Sequence, residues 1–169
     1  MLMRSLSRNL IVPILALTAF CNASGADDKW LENEALGKIS LARKAADLTP
    51  LSGGPESRGK ETEWDASGEW VQEWRFRSRG LVLNMSSKSK GGAKSVLTIT
   101  ATAPCKLTTA RGIHIGSTIA DVTKAYGKVQ DKEESVPGKT FVAGSVYGGV
   151  IFTFTDGKVS KMFIGAAAE

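Results

Sequence analysis

The string Gly112-Ile113-His114-Ile115-Gly116-Ser117-Thr118-Ile119-Ala120-Asp121-Val122-Thr123-Lys124-Ala125-Tyr126-Gly127 leaves its part of the chain little conformational choice. Thr118 followed three residues later by Asp121 is the acidic form of a capping box. The hydroxyl accepts one orphan N–H of a helix's first turn, and the carboxylate reaches back to another. Ile119, Val122 and Ala125 or Tyr126 then recur at the spacing that lines one helical face. Gly127 suits the left-handed residue that closes a helix. The expectation is a short strand, a tight turn, a capped helix and a glycine stop.

Downstream, residues 150–155 and 158–165 flank Asp156-Gly157, the dipeptide favoured by a two-residue type I′ hairpin turn. An unbroken ladder from that turn pairs Phe154 with Val159, Phe152 with Lys161 and Val150 with Phe163. It predicts a core face of Val150, Phe152, Phe154, Val159 and Phe163. The other face carries Thr153, Thr155 and Ser160 beside Ile151, Met162 and Ile164, which is too apolar for simple surface. Residues 139–146 read as a strand and 131–138 as a charged loop. In the first half, Leu31, Ala35, Ile39, Ala42 and Ala46 stand at helical spacing. They predict an amphipathic helix over 30–47, stopped by Pro50 and Ser52-Gly53-Gly54-Pro55. Residues 56–66 read as a polar loop. Strands follow at 69–77, 81–85 and 95–101, the first with Trp70, Trp74 and Phe76 on one face and Val71, Glu73, Arg75 and Arg77 on the other.

The two halves echo each other. With Ile39 set under Ile113 and no gaps, Ile39/Ile113, Ala46/Ala120, Asp47/Asp121, Thr49/Thr123 and Gly53/Gly127 are identical. In each half, strands come after this segment. The match is imperfect: Pro50 stands where Lys124 lies in the second helix, and Arg43-Lys44 replaces Ser117-Thr118. The combination of Gly116-Ser117-Thr118, Asp121-Val122 and Tyr126-Gly127 with a closing hairpin resembles a unit of exported bacterial proteins. That unit occurs in outer-membrane assembly lipoproteins of the SmpA/OmlA (BamE) type, and twice over in proteins of the β-lactamase-inhibitor type. The resemblance covers residues 112–165 well and 35–101 poorly. It implies helices packed on one face of an antiparallel sheet. The expected class is therefore α+β, with two degenerate tandem repeats at about 30–103 and 110–166 inside one domain, 27–169.

Residues 1–26 read as an export signal. Arg4 and Arg8 precede an apolar run over 10–20, and Ser24-Gly25-Ala26 suits cleavage before Asp27. The run is too short to cross a bilayer, which takes roughly 20 residues. A lipid anchor on Cys21 needs a small residue before the cysteine, and Phe20 is bulky. The chain is expected in the periplasm or the medium. Its formal net charge is +5, two of the cations leave with the leader, and no dense Lys/Arg cluster remains to bind nucleic acid. Beyond the leader the only cysteine is Cys105 and the only histidine His114. Such a chain forms no internal disulfide and no His/Cys zinc cage. No glycine-rich phosphate loop precedes a helix, so no cofactor is expected.

Catalysis has few candidates. Cys105 with His114, or one of the pairs Glu61/Glu63, Glu69/Glu73 and Glu133/Glu134, supports an alternative reading as a small cell-envelope enzyme. The aromatics carry more. Trp64, Trp70 and Trp74 crowd beside Arg75, Arg77 and Arg79, and aromatics with arginine are what protein interfaces favour. Tyr147, Ile151 and Met162 form a second candidate patch. The expected function is a non-catalytic protein-binding module. An inhibitor or immunity-type protein is one specific form of it, and an envelope assembly scaffold a further alternative.

Overall fold

The structure, a computed structural model, describes residues 29–48, 54–65 and 67–167. The leader, Cys21 and residues 49–53 of the first repeat copy lie outside them. A one-turn helix, α1 (Lys29–Glu32), leads into a small hairpin of β1 (Ala35–Leu36) and β2 (Ile39–Ser40). Two short strands, β3 (Ser57–Arg58) and β4 (Thr62–Trp64), share one edge of β5 (Glu69–Phe76). The chain continues through β6 (Leu81–Ser87) and β7 (Ser95–Thr102) to α2 (Ile119–Tyr126). Four strands close it: β8 (Gln130–Val136), β9 (Thr140–Ser145), β10 (Gly148–Thr155) and β11 (Lys158–Gly165). The strands from β3 onward form one nine-stranded antiparallel sheet, ordered β3-β5-β6-β7-β11-β10-β9-β8, with β4 also on β5. The two meanders meet through their last strands, from Lys161 opposite Thr102 to Ile164 opposite Ile99.

One face of the sheet is the core. A cross-strand row runs Trp74, Leu83, Ile99, Ile164, Val150, Ala143, and a second runs Phe76, Leu81, Ala101, Met162, Phe152, Phe141. Leu36 and Ile39 of the small hairpin cover these rows, with Val122 and Tyr126 of α2 and Cys105 and Ile113 between them. The Tyr126 ring sits 5.0 Å from Phe152 and 6.0 Å from Trp30.

The capping box forms as its sequence dictates. The Asp121 N–H donates to Thr118 Oγ1 at 3.2 Å, and the Thr118 N–H donates to Asp121 Oδ2 at 2.9 Å. The far end differs. Gly127 has φ −57° and leads into a 3-10 turn, Gly127–Val129, so it is not a left-handed stop. Residues 113–115 keep the expected alternation, with Ile113 buried and His114 exposed, but pair in no strand.

The helix expected over 30–47 is absent. Only the turn Lys29–Glu32 is helical; beyond it Gly37 (φ +61°) turns the chain back, and Leu36 opposite Ile39 sends two fully buried side chains into the core. Residues 56–66, expected as loop, contribute β3 and β4. Residues 131–138, also expected as loop, are mostly β8, an edge strand whose charges suit its exposed position.

The final hairpin turns at Asp156-Gly157, both at positive φ as a type I′ turn requires. Its ladder is not unbroken. Phe154 pairs with Val159, but Thr153 pairs with Lys161, Phe152 with Met162 and Val150 with Ile164. Ser160 is the extra residue of a β-bulge, and its hydroxyl donates to the Thr153 carbonyl at 3.2 Å. Beyond the bulge every side chain changes face. Met162 and Ile164 are core residues, each 1% exposed, and Phe163 lies outside.

Candidate functional site

The side of the sheet opposite the core carries its own row: Arg75, Val82, Thr100, Phe163, Ile151 and Val142, one from each of six neighbouring strands. Val142 is buried, yet it stands outside the core cluster. Val82, Thr100, Phe163 and Ile151 are half-buried. Among the described residues, α2 and the small hairpin pack on the other side, and no helix or hairpin covers this one. Trp64, 36% exposed, reaches from β4 over a shallow cleft of about 330 Å³ that also involves Asn84, Thr98, Ile151, Lys161 and Phe163. The Asn84 side-chain amide donates to Thr98 Oγ1 at 3.0 Å and fixes the floor. Arg75 and Glu73 form an ion pair on the same face, and Lys161 is exposed.

Of the residues singled out in the sequence, Trp64, Arg75 and Ile151 share this face. Trp70 and Trp74 do not. They alternate onto the core side of β5 at the sheet's margin. Trp74 packs against the core, donates from Nε1 to Gln72 Oε1 at 2.9 Å and lies under the Arg58 guanidinium at 4.5 Å. Trp70 sits beneath the Lys90 ammonium at 5.4 Å. Arg77 is exposed in the 3-10 turn Arg77–Arg79 that follows β5. Tyr147, 69% exposed, stands at the β9–β10 turn beside a separate depression with Leu31, Leu41 and Ala42. Met162 is corrected to the core by the bulge and is closed to any partner. Phe163, Val82 and Thr100 replace it. Lys161 was the available signal: on the unbroken ladder it faces the core between Val159 and Phe163, where a lysine is costly.

The candidate catalytic groups are not brought together. Cys105 is buried, and burial pushes its thiol pKa up. That opposes thiolate formation. His114 is exposed, with Nδ1 2.9 Å from the Ile115 carbonyl oxygen. It lines a depression with Arg111, Ser117, Asp121 and Lys124 in which Cys105 takes no part. The Thr118 hydroxyl and N–H hold the Asp121 carboxyl below the usual range, as cap partners should. Glu61 is a structural clamp: it ion-pairs with Lys94, which lowers its pKa first and foremost, and its Oε2 accepts from the Gly91 N–H at 3.0 Å. Glu133 and Glu134 turn their N–H groups to Asp131 Oδ1 at 3.0 and 3.1 Å. Among the described residues no cluster of three His, Cys, Asp or Glu side chains is placed to hold a metal, and no helix is long and apolar enough to cross a membrane.

Comparison of this chain with protein families, with curated proteins and with solved structures returns no match.

Proposed function

We propose that this chain is an exported, non-catalytic protein-binding module built from two degenerate units, each carrying a three-stranded meander, and that it meets its partner with the face of the sheet opposite the core. The observation that carries this reading is the cross-strand row Val82, Thr100, Phe163, Ile151 with Trp64 above it. Among the described residues no helix packs over this row, and half-buried apolar groups beside an exposed tryptophan are what interface centres are made of. Lys161 stands beside that centre and favours a partner with an acidic rim.

The two-unit reading draws on the strand order, in which two three-stranded meanders meet through their last strands. Export draws on the leader read in residues 1–26. The resemblance to the lipoprotein and β-lactamase-inhibitor types favours an inhibitor, immunity or scaffold role within this class.

The test is comparative capture from the envelope extract of the source cell. The protein, Thr100→Arg and Tyr147→Ser serve as baits. A partner retained by the protein and by Tyr147→Ser, and lost with Thr100→Arg, supports the reading. A partner whose capture Thr100→Arg leaves unchanged places the interface elsewhere and overturns it.

A further inference from the structure

Away from the proposed interface, a depression of about 630 Å³ lies between α1, the segment after β2 and the β9–β10 turn. Its apolar lining is Leu31, Leu41, Ala42 and the ring of Tyr147. Leu31 and Leu41 are half-buried, and Ala42 and Tyr147 are exposed, so each keeps surface that a ligand can touch. Among the described residues that line it, Glu32 alone carries a charge, and it too is exposed. The two ion pairs among the described residues, Arg75 with Glu73 and Lys94 with Glu61, leave Glu32 out. Each wall is fastened separately. The Glu34 N–H donates to the Leu31 carbonyl at 3.0 Å, and the buried Glu34 side chain anchors the end of α1. The Ala42 N–H donates to the Val96 carbonyl at 2.8 Å, and the Val96 N–H to the Arg43 carbonyl at 2.9 Å, which ties the second wall to β7. Beside Tyr147, the Ala167 N–H donates to the Val146 carbonyl at 2.7 Å. Ala42 itself holds φ +59°, a left-handed conformation that is costly for a residue with a Cβ, and such strain gathers where a binding surface is held in place. The frame is therefore set before a ligand arrives and needs little ordering to receive one.

We propose that this depression binds a quaternary ammonium on a short apolar chain. The chain lies on Leu31, Leu41 and Ala42, and the cation sits against the Tyr147 ring with the Glu32 carboxylate beside it. Charge and shape agree on the class. An aromatic face attracts a cation, and the attraction grows as water is excluded. A single carboxylate with no other charge in the lining selects one positive charge and repels an anion. A quaternary nitrogen carries no N–H, so one ring and one carboxylate satisfy it, whereas a primary ammonium brings three donors in need of acceptors. The volume lies within the roughly 300–1,000 Å³ of small-molecule sites. The depression shares no residue with the cleft under Trp64, so the proposal is independent of the interface.

The test is a titration of the isotope-labelled protein with hexyltrimethylammonium, followed by amide NMR shifts. Hexanoate carries a similar apolar chain with the opposite charge. Glu32→Gln and Tyr147→Ser remove the two groups that meet the cation; both side chains are exposed, so both variants keep the fold, which their own spectra check. The expected result is saturable shifts centred on Leu31, Glu32, Leu41, Ala42 and Tyr147. Hexanoate should bind about tenfold more weakly or worse, and each variant should lose about threefold in affinity for the cation. Absence of saturable shifts at these amides, or hexanoate binding as tightly as the cation, or either variant keeping its full affinity, overturns it.

Discussion

At the scale of single residues, the most constrained group is Glu34, 2% exposed. It accepts from the Tyr126 hydroxyl at 2.8 Å, from the Ala110 N–H at 2.8 Å and from the Ala35 N–H at 3.1 Å. One carboxylate thereby ties the small hairpin to the segment before α2 and to α2 itself. Removing it takes the carboxylate acceptor from a buried phenol and from a part-buried N–H, so Glu34→Ala should cost about 3 kcal/mol in urea unfolding, and Tyr126→Phe about 1–2 kcal/mol. Burial, and then the charge of Glu34, push the Tyr126 pKa far up. The folded state thus holds this proton to higher pH than the unfolded chain, whose tyrosine titrates near 10. The stabilisation linked to it is complete below about pH 10 and is lost as pH rises beyond that. The urea midpoint should fall between pH 9 and pH 11, and fall less in Tyr126→Phe. Equal falls in the two proteins would show that the phenol is not the linked group. Sequence pattern placed Tyr126 on the core face of its helix, but nothing in it pointed to Glu34, because the last acid of the polar run Glu32-Asn33-Glu34 looks like surface until its partners arrive from elsewhere in the chain.

At the scale of elements, the capping box and the bulge make opposite points. The box is local, its partners lie three residues apart, and it was legible in advance. Thr118→Ala should cost about 1 kcal/mol, read as a loss of urea midpoint with unchanged slope. The bulge at Ser160 depends on which neighbours β11 must satisfy. Met162 and Ile164 pair across to Ala101 and Ile99 of β7 as well as to β10, and the core rows close only in this register. Met162→Ala should therefore cost about 2–5 kcal/mol as a core truncation, while Phe163→Ala on the open face should cost no more than about 1 kcal/mol. Thermal or urea unfolding of the two variants decides the register, and the reverse ranking would restore the unbroken ladder.

At the scale of the molecule, the hydrophobic core does not respect the division into halves. Leu83, Ile99, Ile164 and Val150 lie in one row across both meanders, and among the described residues one buried cluster runs from Leu36 to Ile164. The halves should unfold as one. Tryptophan fluorescence, which reports mainly on the first half, and amide exchange across β9–β11 should give coincident urea transitions. Two separated transitions would mean that the β7–β11 seam is weaker than either meander. The uncovered face is also a property of the whole molecule: its row takes one residue from each of six strands that are scattered in sequence.

What the sequence determined by itself is what short-range physics sets: a capped helix, the Asp156-Gly157 turn, the longer strands and the predominance of antiparallel sheet. It also marked Trp64, Arg75 and Ile151, three members of the open face. It misread residues 30–47 because helical spacing and a hairpin's burial pattern overlap in a short segment. It grouped Trp70 and Trp74 with Trp64 because nearness along a chain does not tell which side of a sheet a residue faces. The tertiary structure alone decided the strand order, the inserted residue at Ser160 and the burial of Glu34. Each of these is settled by contacts between segments far apart in the chain, and the free energy of those contacts appears only once the sheet has assembled.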